Sequence, residues 1–160
     1  MLICSVKATT LRLLAVLLLS GGALVGLVVF GNAATAETAN MHYENVSYEN
    51  IRTESDRRAF LSAFGYEVTA DAQSTAEFTL PKALDAVLLG YNEIQKEQGL
   101  DLGKYKGKTV TRYTYEIPNY QGYDGKVYAN LIVYRNRIIA ADLTGVGEKG
   151  FVRALGLAQE

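Results

Sequence analysis

The sequence predicts an α+β fold for the folded part of this 160-residue chain, and two patterns lead to that class. Between residues 84 and 94, apolar residues recur at spacings of three and four, as on one face of a helix. Between residues 109 and 143, three runs typical of strands follow one another, separated by short turns. The predicted order is an N-terminal membrane or signal helix, a helix, two short strands, a long helix, a three-stranded antiparallel meander and a short C-terminal helix.

The N-terminal part contains an uncharged apolar run at residues 13–31, about as long as a helix that crosses a bilayer. Lys7 and Arg12 precede the run, and Glu37 is the first charge after it. Basic flanks remain in the cytoplasm, so we expect the C-terminal part to lie outside. The chain then divides into a basic cytoplasmic flank (1–12), a membrane anchor or signal segment (13–31), a tether (32–50) and an extracytoplasmic α+β domain (51–160).

The fate of the apolar segment is open to two interpretations. Ala36 completes an A-x-A pattern after which a signal peptidase could cut. The apolar core is, however, longer than the roughly 7–15 residues usual in a signal peptide. We expect an uncleaved single-pass membrane protein, and the alternative is a protein secreted after cleavage near Ala36.

The composition argues against several partners and chemistries. The chain has 16 Lys and Arg against 17 Asp and Glu, a balance that does not favour nucleic acid. The only histidine, His42, lies in the tether, whereas a nucleophilic triad needs one in the folded domain. Clustered Cys and His for zinc, and the spacing of a calcium loop, are both missing from the sequence. We therefore expect no catalytic residue, no cofactor, no metal and no enzymatic activity; a hydrolase using two carboxylates is the least favoured alternative.

The predicted helices are delimited by capping and stop residues. The first spans residues 55–64, with Thr53 or Ser55 as its N-cap and Gly65 as its stop. Short strands are predicted at 66–69 and 77–80. The long helix begins at Pro81, which suits a first helical position, and ends at Gly99. In it, Leu84, Leu88 and Tyr91 are expected to face the strands, and close packing against the sheet would explain Gly90.

The predicted meander consists of strands at residues 109–117, 126–134 and 137–143. The second is apolar on both faces, so we place it in the middle of the sheet, covered on both sides. Arg135 and Asn136 form a tight turn between the second and third strands. A short helix is predicted at residues 151–157.

Two glycine-containing segments resemble phosphate-binding motifs. Residues 145–150 match G-x-G-x-x-G, but the chain ends ten residues later without the returning strand of a dinucleotide site, so no nucleotide is expected. Residues 103–109 lack the spacing of a phosphate-binding loop and precede a strand. They are interpreted as a turn with solvated lysines, and a weak anion site on Lys104, Lys106 and Lys108 is the remaining possibility.

Tyrosines supply the candidate binding residues. All eleven follow residue 42, and most fit half-buried strand positions. Tyr120 and Tyr123 lie in a Gly-containing connection, and loops often carry binding residues. We expect these two residues to contact a partner. The favoured function is a membrane-tethered, non-catalytic interaction module with an envelope protein partner; the alternative is a small-ligand-binding or sensing domain with a pocket between helix and sheet.

Three segments, at residues 56–68, 91–120 and 129–143, resemble a family catalogued as a domain of unknown function, number 4830. The run GLDLGKYKGKTVTRYTY at 99–115 is the most specific part of the resemblance. Tyr66 stands where the family pattern suggests Trp. The resemblance implies a small exported or membrane-anchored protein of clostridia-like Gram-positive bacteria with one domain in the envelope. It implies no catalytic residues, because the family has no assigned activity.

Overall fold

The computed structural model describes residues 46–118, 120–156 and 158. Its elements, in chain order, are α1 (Glu54–Ala63), β1 (Ser74–Thr79), α2 (Ala86–Lys96), a short 3-10 helix (Leu102–Tyr105), β2 (Thr109–Ile117), β3 (Lys126–Tyr134), β4 (Arg137–Val146) and β5 (Phe151–Ala154). The strands form one antiparallel sheet in the order β1-β2-β3-β4-β5. The predicted segments 1–12 and 13–31 lie outside the described residues. Within the described residues, every helix is too short or too polar to span a membrane.

The predicted α+β class with a three-stranded meander is wrong, because the described domain is mostly β and has five strands. The largest error is at the C-terminus, where residues 151–157 were expected to be helical. Instead β4 extends to Val146, and β5 pairs antiparallel with its last part, Gly145 facing Phe151 and Asp142 facing Ala154. The local sequence at residues 151–157 favours a helix. Backbone pairing with the edge of β4, which exists only in the folded sheet, outweighs that preference.

The region before α2 also differs from the prediction. Residues 66–69 form no strand, and Thr69 makes a single backbone hydrogen bond to the carbonyl of Glu116. The long helix begins at Ala86 instead of Pro81, because Asp85 is its N-cap and accepts a 2.9 Å hydrogen bond from the Leu88 amide. Leu84 therefore lies outside the helix. The start of the helix is therefore set by the side-chain cap at Asp85 and not by Pro81.

Helix α1 confirms its prediction to within one residue at each end. Thr53 is the N-cap and forms a capping box with Asp56, whose carboxylate accepts the amide of Thr53 at 2.7 Å. At the other end, Gly65 has φ +86° and the amides of Gly65 and Tyr66 bond to the carbonyls of Ser62 and Leu61. This is a Schellman motif, and it requires glycine because of the positive φ.

Strands β2 and β3 lie where the sequence predicts them, and the turn between β3 and β4 is the predicted one. Arg135 and Asn136 have φ +47° and +64°, the geometry of a type I′ hairpin. β3 is the middle strand of the sheet and is buried along most of its length, as expected.

Each face of the sheet is covered by a different helical segment. Phe60 and Leu61 of α1, with its C-cap residue Phe64, pack on one face against β2, β3 and β4. Arg57 fixes α1 to this face, since its Nε donates to the Tyr115 hydroxyl at 2.8 Å. On the other face, the 3-10 helix and α2 cover one end of the sheet through residues such as Leu102.

The outer edge of β4 is covered by three separate segments of the chain. Near its start, the Ile138 amide donates to the Tyr48 carbonyl at 2.8 Å, so the end of the predicted tether packs along the strand. In its middle, Gln95 of α2 accepts from the Ala141 amide, and Gln98, which follows α2, donates to the Ala141 carbonyl, each at 2.8 Å. β5 covers the remainder. A bulge at Ile139 separates the first two segments.

Candidate binding surfaces

An aromatic groove lies at the end of the sheet where β2 stops and the connection to β3 begins. Its volume is about 240 Å³. Tyr66 and Tyr120 are stacked in its wall, with ring centroids 6.5 Å apart and planes inclined by 16°. The other lining residues are Gly65, Glu67, Ile117, Pro118, Gln121 and Ala158. We call this feature the aromatic groove.

Local structure explains how the two stacked rings meet. Gly65 ends α1 and turns the chain so that Tyr66 is buried against the core. Tyr120 lies three residues after the end of β2 and is half-buried. The guanidinium of Arg153 on β5 lies 5.5 Å from the Tyr120 ring centroid, which is within cation–π distance. The groove thus has an aromatic wall, and a cation lies beside the Tyr120 ring in that wall.

The second predicted tyrosine, Tyr123, has a different environment. Its ring meets Phe151 edge-to-face at 5.1 Å, and its hydroxyl lies against Gly147. Phe151 in turn lies directly over Gly145, where a Cβ would collide with the ring. Tyr123 does not line the aromatic groove. The G-x-G-x-x-G segment therefore forms the end of β4 and the turn into β5, with an aromatic side chain over its first glycine.

The predicted lysines lie at the opposite end of the sheet. Lys104 is in the 3-10 helix and Lys106 follows it, and both are exposed just before β2 begins. Tyr120 comes after β2 ends, so the nine residues of the strand separate the two predicted sites by roughly 25–30 Å. The four predicted site residues do not form one site.

A second cavity, of about 300 Å³, lies at this same end of the sheet. We call it the arginine cavity; it is lined by Glu49, Asn50, Arg52, Arg135, Asn136 and Arg137. The lining residues come from the segment before α1, from the turn between β3 and β4, and from the first residue of β4. The predicted lysines lie near this cavity. The ring of Tyr134, which precedes Arg135, is 5.6 Å from the ring of Tyr105, which lies between Lys104 and Lys106 in the sequence.

A buried polar row crosses the face of the sheet that α2 covers. Asp142 is its centre: Oδ2 accepts from the Tyr91 hydroxyl at 2.7 Å, and Oδ1 accepts from Asn130 at 2.9 Å and Thr144 at 2.8 Å. Burial raises the pKa of Asp142. Burial and the neighbouring Asp142 together raise the pKa of Tyr91 well above its usual value, and burial lowers the pKa of Arg112. Perturbed titratable groups cluster at functional sites, but structural networks perturb them as well. Neither cavity opens onto this row.

Sequence reasoning missed Tyr66, Arg52, Arg135 and the polar row. Tyr66 was assigned to a strand, which is wrong, and Arg135 to a turn, which is confirmed. Neither assignment predicts which residues surround the side chain. Asp142 carried a detectable signal, because a carboxylate at an inward-facing position of an apolar strand requires partners. Among the residues that the structure describes, no group of three or more His, Cys, Asp or Glu could hold a metal ion.

The fold and its surfaces define a small, mostly-β domain: a five-stranded antiparallel meander with helical segments on both faces. The chain belongs to the family described as Domain of unknown function (DUF4830), whose match covers residues 60–143, more than half of the chain. The match begins in the last turn of α1 and extends into β4, and it confirms the resemblance of the sequence to this family. No match was found among curated proteins or among solved structures.

Proposed function

We propose that this protein is a non-catalytic binding module, tethered to the membrane on the outer side of the cell, which captures an envelope protein partner in the aromatic groove. One observation carries the proposal: the half-buried Tyr120, stacked on the buried Tyr66, stands in the wall of a concave surface. Tyrosine is enriched at protein interfaces because it offers large contact area with little conformational freedom to lose.

The size of the groove favours a protein side chain over a free ligand. Small-molecule sites usually occupy about 300–1,000 Å³, whereas the aromatic groove measures about 240 Å³. That volume accommodates one apolar or aromatic side chain of a partner. Glu67 and Gln121 at the rim provide polar groups for the flanking partner backbone.

The two alternatives receive less support from the geometry. A ligand site between the long helix and the sheet would place α2 residues around a cavity, and no α2 residue lines the aromatic groove or the arginine cavity. A carboxylate hydrolase needs two converging acidic side chains. Each cavity has one acidic lining residue, Glu49 in the arginine cavity and Glu67 in the aromatic groove.

The membrane tether is supported by the sequence of residues 13–31 and by its basic flank. Protease treatment of intact cells tests it, with a tag at each end of the chain. We expect loss of the C-terminal tag and protection of the N-terminal tag. Protection of both tags would contradict the proposed orientation.

Partner capture tests the groove. The tagged full-length protein is cross-linked in its native cells and purified with whatever is bound to it. We expect Tyr120→Ala to lose a partner that the wild type captures reproducibly. Tyr105→Ala, a half-buried tyrosine at the opposite end, is the matched control and should retain it. Equal capture by wild type and Tyr120→Ala would remove the groove assignment.

A further inference from the structure

We infer that the arginine cavity is an anion site that binds a phosphate group. The site is at the opposite end of the sheet from the aromatic groove, so the inference goes beyond the proposed function and does not depend on it. Three of the six lining residues are arginines, and two more are asparagines whose amides can donate. Glu49 supplies the single carboxylate of the lining.

The charges of the cavity are not balanced internally. Arg137 pairs with Glu49 at 2.8 Å, and about half or more of each side chain is exposed, so this pair is weak and can rearrange. Arg52 and Arg135 form no ion pair with any described residue. Within the part of the chain that the structure describes, two guanidinium groups at one concave surface therefore carry no paired carboxylate.

The backbone supplies an independent argument. Arg135 has φ +47° at the first central position of a type I′ turn, where Asn and Gly are preferred and arginine is strained. Asn136 occupies the second position with φ +64°, as the turn type favours. Asn50, across the cavity, also has a positive φ of 63°. Strained residues cluster at functional sites, and here the strain falls on a cation that lines a cavity.

The surroundings reinforce the positive potential. The Arg135 guanidinium lies 5.3 Å from the Tyr134 ring, which also contacts Tyr105 beside the exposed Lys104 and Lys106. A planar guanidinium forms paired hydrogen bonds with phosphate oxygens, and several together suit a group with three or four oxygens. Either a soluble phosphate compound or the headgroup of a phospholipid provides this chemistry.

The experiment uses the full-length protein in a neutral detergent at constant ionic strength. Inorganic phosphate and a soluble short-chain phosphatidylglycerol are titrated separately, and the thermal midpoint is recorded, with sodium chloride and short-chain phosphatidylcholine as controls. Stabilisation by phosphate identifies a soluble phosphate compound as the ligand class. Stabilisation by the phosphatidylglycerol alone identifies a lipid headgroup. Stabilisation by neither overturns the inference.

Arg135→Asn separates binding from folding. Asn suits the turn, so we expect the thermal midpoint without ligand to be unchanged or raised, while affinity for the active probe falls by about tenfold or more. Lys149→Asn, an exposed cation at the opposite end of β4, should bind as the wild type does. Tyr120→Ala should also retain phosphate binding, which distinguishes this site from the groove. Wild-type affinity in Arg135→Asn would contradict the inference.

Discussion

Thr53 stabilises α1 through its side-chain oxygen, which accepts the Asp56 amide at 3.2 Å. Replacing Thr53 by Ala should lower the free energy of unfolding by about 1 kcal/mol, because the amide loses its partner at the start of the helix. Ser55 was the other candidate cap in the sequence, and it lies exposed inside the first turn. Ser55→Ala should therefore change stability little in urea unfolding. The reverse ranking would show that the cap is misassigned.

Asp142 makes the stability of the domain depend on pH. Its pKa in the folded state is raised by burial above the usual 3.8. The carboxyl therefore contributes most to stability below about pH 4, and this contribution is lost as pH rises through the raised folded pKa. An amide at the same position does not titrate, so the variant Asp142→Asn lacks this dependence.

We predict that the difference in unfolding free energy between wild type and Asp142→Asn shifts in favour of the variant as pH rises above 4. The slope is at most about 1.4 kcal/mol per pH unit, the value for one proton. Urea unfolding between pH 4 and 8 measures it. A constant difference, or one that increasingly favours wild type, would contradict the raised pKa.

At the scale of elements, α2 contains an avoidable weakness at Gly90. Close packing was expected to explain this glycine, but a Cβ built there meets nothing within 4 Å, so that expectation is wrong. Gly90→Ala should raise the free energy of unfolding by about 0.5–1 kcal/mol. Gly65→Ala is the contrasting variant and should destabilise, since Gly65 has φ +86° and a Cβ would lie 3.1 Å from that of Ala158. The thermal unfolding midpoints of both variants, compared with that of the wild type, test these two predictions.

The contact between α2 and β4 depends on a fully buried glutamine. Gln95 accepts the Ala141 amide at 2.8 Å. Gln95→Leu would leave that amide buried without a partner, at a cost of about 1–3 kcal/mol. Lys96→Leu, on the exposed side of the same helix turn, is the control and should leave the unfolding midpoint nearly unchanged. Similar losses in both variants would point to a general effect on the helix.

The elements that the sequence predicted well are those whose signals are local. α1 has its capping box and its stop glycine close to its own span, and β2 and β3 show strand patterns of full length. β5 was wrongly predicted as a helix because its four residues acquire their conformation from β4. The start of α2 was misplaced because Pro81 and Asp85 are both acceptable start signals, and the sequence does not rank them.

At the scale of the whole molecule, the candidate surfaces were harder to predict than the strands. Tyr120 was chosen from its loop, but Tyr66, its stacking partner, is distant in the chain and reaches it only through the fold. Arg52 lies in the segment before α1 and Arg135 in the turn between β3 and β4, and the fold likewise brings the two together at one cavity. Contacts of such long range leave no local pattern, so the cavities emerge only with the complete domain.

The sheet has one edge suited to adding another strand. β1 is six residues long and, among the described residues, has no strand on its outer side, whereas β5 is only four residues long and the edge of β4 beyond it is already covered. Two molecules that paired through β1 would place their β5 strands at the outer limits of a ten-stranded sheet. Such a pair is a closed dimer, because a two-fold axis relates the two molecules and each uses its β1 edge for the same interface. Self-association of this domain would therefore stop at a dimer instead of continuing into a fibre, and the exposed carboxylate of Glu77 in the middle of β1 opposes even that first step.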